Sequence, residues 1–323
     1  MTKLLQAFTS DEYLLANDLL SAKVATMLGR KMEEGDWDFV YCNSKNIPIT
    51  EWSNVNIDIN HNGLGVEHKM LRVTKAGSIT QECGTTKMHP AGTRSIRIPD
   101  EEDPQKAMFS ILSQYNELIE ARTLAVKKNS CNSVADMRIG WLLWKDTLDE
   151  FLYFEEEMSK VDVDHYYAEW NLTPAKGSRK SSRSLWIYER ATGKKKFSVT
   201  TTAGAKIQPY FDVPAPSNPN LFHFVVQGVK IDGGLVKVWL TKSTAKYLEL
   251  LLGSLDEQAI SDCINSFELI DGNNGIEQSS AEELAVPVYV QISAYEKLKQ
   301  IFPNNISDEY LFQQLAIFLG ESK

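Results

Sequence analysis

Apolar residues recur at helical spacing in a few parts of this chain and alternate with polar ones in several others. Leu15, Leu19, Val24, Met27 and Leu28 follow Thr9 and Glu12, a capping-box pair, and Gly35 supplies a stop, which predicts a helix over 11–34. Pro104 opens a second helical series through Met108, Ile111, Leu112, Tyr115, Leu118 and Ile119. Arg122, Lys127 and Lys128 then sit toward the end, where a helix favours cations. Strands are expected at 37–42, 55–59, 64–73, 94–98 and 138–144. Helix, three strands, helix and strand together describe a mixed α/β unit ending near residue 150. Beyond it, strands are expected at 185–188, 196–201, 221–229 and 235–240, and helices over 243–252 and 308–318. The fold class is therefore α/β with a mixed sheet. Residues 1–150 form its core, and 151–323 a β-rich second region.

The turn sequence Asn62-Gly63 suits a two-residue type I′ hairpin, and that turn sets the strand register. His61 then faces Leu64, Ile59 faces Val66 and Asp58 faces Glu67. Opposed like charges destabilise a hairpin, so something must compensate. A divalent cation between the two carboxylates does so, and Mg²⁺ favours one or two carboxylates while keeping waters for a phosphate to replace. Lys69 lies two residues beyond Glu67 and emerges on the same face. Without a cation, the same residues make a solvated hairpin face with a lysine-neutralised acid pair.

This constellation resembles the PD-(D/E)xK nuclease superfamily, to which most type II restriction endonucleases belong. The family pattern is an acid ending one strand and acid-x-Lys on the next, in an α/β core of the order read here over 11–144. The resemblance implies a restriction-endonuclease-like α+β core with Asp58, Glu67 and Lys69 as catalytic residues. It further implies that Asp58, Glu67 and the backbone carbonyl of His68 hold Mg²⁺, and that Lys69 orients or activates the attacking water. Ile57 stands where the motif often has proline. The implied activity is Mg²⁺-dependent, sequence-specific cleavage of double-stranded DNA in a restriction system, usually by a homodimer. Structure-selective and repair nucleases share the superfamily and remain an alternative, as does a non-catalytic nucleic-acid-binding protein. The His68 side chain alternates away from Glu67 and Lys69, which predicts a structural role. His61 lies beside the turn. Glu12 and Asp18 are candidates for a further carboxylate from the first helix, against simpler readings as a cap and an exposed acid.

Charge changes the picture only when it is resolved along the chain. The whole carries 34 Lys and Arg against 43 Asp and Glu, a net −9, which argues against coating nucleic acid through bulk charge. From Thr173 to Leu250, however, thirteen basic residues face four acids, while from Leu251 onward three face twelve. The basic stretch suits phosphate contacts, with Lys176, Arg179, Lys180, Arg183, Lys194, Lys195 and Lys196 as DNA-binding candidates. Arg94 and Arg97 are further candidates. Cys42, Cys83, Cys131 and Cys263 have no zinc-site spacing, the N-terminus lacks a signal-peptide pattern, and no apolar run reaches bilayer length. A cytoplasmic protein with no membrane partner is expected.

Overall fold

The computed structural model describes residues 3–27, 30–48, 57–74, 77–90, 92, 96–97, 99, 101–175, 177, 180–200, 206–267, 284–303 and 307–321. A short strand, β1 (Leu4–Leu5), precedes helix α1 (Ser10–Ala25), where Thr9 and Glu12 form the expected capping box. The helix ends at Ala25, short of the expected limit at 34. A second helix, α2 (Glu34–Ser44), replaces the strand expected at 37–42. Trp37, Val40 and Tyr41 are all fully buried, and that spacing belongs to one face of a helix. Asp36 supports the first turn by accepting the Glu33 N–H at 2.9 Å.

Strands β2 (Ile59–His61) and β3 (Leu64–Val73) form the hairpin, followed by β4 (Thr86–Met88). Helix α3 (Pro104–Lys128) starts from an Asp103 cap, and β5 (Asp136–Lys145) and β6 (Glu150–Glu157) come next. β3 and β5 run parallel, so a crossover must join them, and α3 lies in it. Parallel strands buried on both faces lose simple alternation of polarity. In β5, Trp141 and Leu143 pack on one side of the sheet, and Leu142 and Trp144 on the other with α1 and α2. Of the strand expected at 94–98, Ile96 and Arg97 are irregular, and 94, 95 and 98 lie outside the described residues. The Gln114 side chain pairs with both backbone groups of Arg97, which ties this stretch to α3 instead of a sheet.

Strands β7 (Tyr166–Thr173), β8 (Ser182–Glu189), β9 (Lys195–Thr200) and β10 (Lys206–Asp212) join β4 in an antiparallel sheet ordered β4-β10-β9-β8-β7. Its inner residues Leu185, Ile187, Val199 and Ile207 pack on Ile111 and Leu112 of α3. β11 (Phe222–Val225) then returns to the outer edge of β6, completing a mixed sheet ordered β1-β6-β5-β3-β2 with β11 beside β1. The division expected near residue 150 thus falls at the β5–β6 hairpin.

The remaining chain builds a third layer. β12 (Val229–Ile231), β13 (Leu235–Thr241) and β14 (Ala285–Gln291) form a sheet covered by α4 (Lys242–Leu252), α5 (Glu257–Ser266), α6 (Ile292–Ile301) and α7 (Asp308–Glu321). The strand expected over 221–229 is split before β12, where Gly228 takes φ 59°. Asp308 anchors α7 there, accepting the Gly228 N–H and the Tyr295 hydroxyl, each at 2.7 Å. Lys237 pairs with Asp18 of α1 at 2.6 Å. Among the described residues, no helix is long and apolar enough to cross a membrane.

Gly140 of β5 pairs with His68 of β3 and Glu155 of β6. A Cβ there would sit 2.3 Å from the Tyr153 hydroxyl and 2.7 Å from Cδ2 of His68, both on fully buried side chains. Gly140→Ala is expected to destabilise the fold by about 1–3 kcal/mol, read from the midpoint of urea unfolding.

Candidate active site

The β2–β3 turn has Asn62 at φ 44° and Gly63 at φ 86°, the left-handed pair that a type I′ turn demands. Ile59 pairs with Val66, Asn60 with Gly65 and His61 with Leu64, the register expected from the turn. The ladder stops at Ile59. Asp58 then engages β3 through its side chain, Oδ2 accepting the backbone N–H of His68 at 2.6 Å. An extended residue sends its N–H and C=O to the same side, so the His68 carbonyl faces the Asp58 edge as well.

Alternation along β3 separates two chemistries. Val66 and Met70 pack with the α1–α2 core, and His68 meets the rings of Trp37 and Tyr41 there. Glu67 and Lys69 face α3 and the second sheet. Glu67 is only 8% exposed, yet both its oxygens are engaged: Oε1 by Lys69 Nζ and Oε2 by Arg122 Nη2 at 3.1 Å. Arg122 comes from α3 and is itself buried. The cleft they line with Tyr115 measures about 30 Å³ and is roofed by Phe197, Ile207 and Pro209. That is room for about one water. Burial pushes the Tyr115 hydroxyl up to about 12, with Arg122 pulling the other way.

The fully buried His68 side chain lies in a polar chain on the other face. Its Nδ1 meets Asp38 Oδ1 at 2.6 Å and its Nε2 the Tyr153 hydroxyl at 3.1 Å. That hydroxyl donates to Glu155 at 2.8 Å, and Glu155 also accepts from Arg138 at 2.7 Å. Both imidazole nitrogens therefore have a polar partner, Asp38 on one side and the Tyr153 hydroxyl on the other. His68 is thus locked in place, and its backbone N–H with it.

Negative charge gathers at the Asp58 edge. Asp58 is open to solvent on one side, but the protein around its carboxyl withdraws hydration. That burial, helped by Glu67 and Glu34 and opposed by His68, raises it to about 7. Glu34, at the start of α2, is also raised, chiefly by burial and then by Asp38 and Glu67, against Lys69 and His68. These groups therefore share one electrostatic neighbourhood. Among the described residues, no three His, Cys, Asp or Glu side chains form a metal cage. Mg²⁺ does not need one: two carboxylates, a carbonyl and waters suit it, and the crowding of like charge on Asp58 is what a cation relieves. The donor set fits, provided that Glu67 exchanges part of its present pairing.

The other sequence-based candidates lie elsewhere. Glu12 caps α1 and pairs with Lys45 at 3.0 Å, and Asp18 pairs with Lys237. His61 is at the turn. Arg94, Lys176 and Arg179 lie outside the described residues. Arg97 and Lys180 are exposed. Arg183 lies 3.7 Å above the Trp170 ring and Lys195 3.1 Å above that of Trp186, while Lys194 pairs with Asp212 at 3.1 Å. Lys196 acts electrostatically on Glu156 and Asp212. None of these described basic residues lines the Glu67 cleft. Glu34, Asp38 and Arg122 escaped the sequence reading of the site. The Glu34/Asp38 and Trp37/Tyr41 pairs, each four apart, were the available helical signal for α2. Comparison with family models, curated proteins and solved structures returns no match.

A raised carboxyl pKa means that the folded state holds the proton more tightly than the unfolded chain. Stability from this group is therefore lost as pH rises from about 4 through about 7. The stability of the metal-free protein relative to Asp58→Asn is expected to fall across that window and then level off. Urea unfolding of both proteins over the pH series measures it.

Proposed function

We propose that this protein is a Mg²⁺-dependent endonuclease of double-stranded DNA, acting in the manner of type II restriction enzymes. The observation that carries this reading is the joint placement of Asp58, Glu67 and Lys69 around the β2–β3 hairpin, with Asp58 raised by burial and then by the charge of Glu67 and Glu34. Asp58, Glu67 and the His68 carbonyl would hold the cation. When bound, Mg²⁺ supplies charge screening at the phosphate and lowers the pKa of bound water. Lys69 donates a hydrogen bond to the attacking water and keeps it in line with the bond to be cut. The water oxygen forms a new P–O bond, the opposite P–O bond breaks, and solvent takes up the water proton and protonates the leaving oxygen. The locked His68 holds its carbonyl in place and, through its N–H, the Asp58 carboxylate.

The basic stretch from Thr173 to Leu250 supports binding of the phosphate backbone, away from the cleft itself. A homodimer, one site for each DNA strand, working in the cytoplasm, completes the proposal.

Plasmid digestion with and without Mg²⁺ tests it. Discrete fragments are expected from the wild type, with Lys69→Ala and Asp58→Ala folded, still binding DNA, and slower by on the order of 100-fold or more. Undiminished Mg²⁺-dependent cleavage by either variant rejects the site. Branch-dependent cutting assigns the protein to structure-selective nucleases, and salt-sensitive binding without product makes it a binding protein only. Lys196→Ala is expected to reduce the slope of log affinity against log salt by about 1.

A further inference from the structure

We propose that Arg122 is a phosphate-binding residue of this site, released from Glu67 when the cation binds and then taken up by a non-bridging oxygen of the phosphodiester. The inference rests on the nuclease reading and adds a residue to it.

Arg122 reaches the cleft from α3 and is 9% exposed. One of its terminal nitrogens, Nη2, holds Glu67 Oε2 at 3.1 Å. Its Nε is buried and has no hydrogen-bond partner among the described residues. A guanidinium offers donors in a planar fork that matches two oxygens at once, as in phosphate recognition. Here half of that fork is used and the Nε–H is stripped of water with nothing in return. The surroundings do not repair this. Besides Glu67, Lys69 and Arg122, the lining is Tyr115, Gly92 and the bodies of Ile139, Trp141, Met158, Phe197, Ile207 and Pro209. A buried donor left empty is the kind of exception that calls for a ligand.

Charge leads to the same place. On this face of β3, two cations, Lys69 and Arg122, share one carboxylate, Glu67. A phosphate oxygen entering there meets two cations and one carboxylate, with Glu34 within electrostatic reach of Lys69 from the other side. The cleft of about 30 Å³ has room for an oxygen atom beside the guanidinium. A phosphodiester oxygen that enters it meets both Arg122 and Lys69. Glu67 cannot give full charge to a cation while Arg122 and Lys69 hold it. Transfer of Arg122 from carboxylate to phosphate oxygen exchanges one anion for another, so the guanidinium is paired before and after. In the metal-free protein, Arg122 competes with the cation for Glu67. In the loaded site, it stabilises charge developing on the phosphate.

The test uses the full-length chain, with Arg122→Met and Arg122→Lys. Titration calorimetry with Mg²⁺ alone, without DNA, reads the competition. Arg122→Met is expected to bind Mg²⁺ more tightly than the wild type, by about tenfold, since one counter-ion is gone from Glu67. Single-turnover plasmid cleavage at saturating Mg²⁺ reads the phosphate contact, and is expected to slow by on the order of 100-fold in Arg122→Met. Arg122→Lys keeps the charge but lacks the Nε–H and the fork, so it should fold like the wild type and still cut at least about tenfold more slowly. A role confined to packing would weaken Mg²⁺ binding or leave it unchanged, and either result overturns the proposal. Wild-type cleavage rates in the lysine variant overturn it too, whether or not the methionine variant folds. A wild-type protein that cuts nothing with Mg²⁺ overturns the nuclease reading and this proposal with it. Normal cutting by the wild type and both variants overturns the Arg122 assignment alone.

Discussion

Glu67 is a carboxylate almost withdrawn from water, and the protein around it is arranged to tolerate that charge. Removing a lone carboxylate from water costs several kcal/mol, and breaking a buried pair by deleting one partner costs about 3–5 kcal/mol. Lys69 from the same strand and Arg122 from α3 both answer it. The second of these contacts binds the crossover helix to the strand it follows, so the packing of α3 between the two sheets and the charge balance of the cleft are one arrangement. A one-residue slip of β3 would turn that buried acid toward the aromatic face, so the charge balance favours the observed register.

The opposite face of β3 meets the same demand differently. His68 is fully buried among aromatic rings, and it is satisfied by Asp38 on one side and by Tyr153, Glu155 and Arg138 on the other. Every member of that chain has a partner, which is the condition under which a buried polar network specifies a structure instead of weakening it. The result for the site is positional. A single strand carries a cation-seeking carboxylate on one face and, on the other, the clamp that holds the intervening backbone still. Asp58 is fastened to that backbone through the His68 N–H.

Much of this was legible in local patterns. The Asn62-Gly63 turn, its register, the span of β3, the Pro104 helix and the opposite facing of His68 all follow from neighbours in sequence, because turn chemistry and side-chain alternation act over a few residues. Residues 37–42 read as a strand because their buried aromatics, Trp37 and Tyr41, carry strong strand propensity, and the core they enter is built from β3, β6 and β11. Helical packing against those partners outweighs propensity. The extent of the mixed sheet was equally hidden, since β1 and β11 pair with β6 from distant parts of the chain.

The sequence by itself determined the hairpin, the two acids and lysine that it presents, and the uneven distribution of charge. Which groups surround those residues was decided only by tertiary structure. Glu34 and Asp38 come to the site because α2 is a helix, Arg122 because α3 crosses over β3, and the roof of the cleft because β10 and β9 fold back above it. The physical reason is range. Dihedral and turn preferences are settled within a few residues, whereas charge compensation in a dry interior depends on whichever distant segment packing brings within a few ångströms.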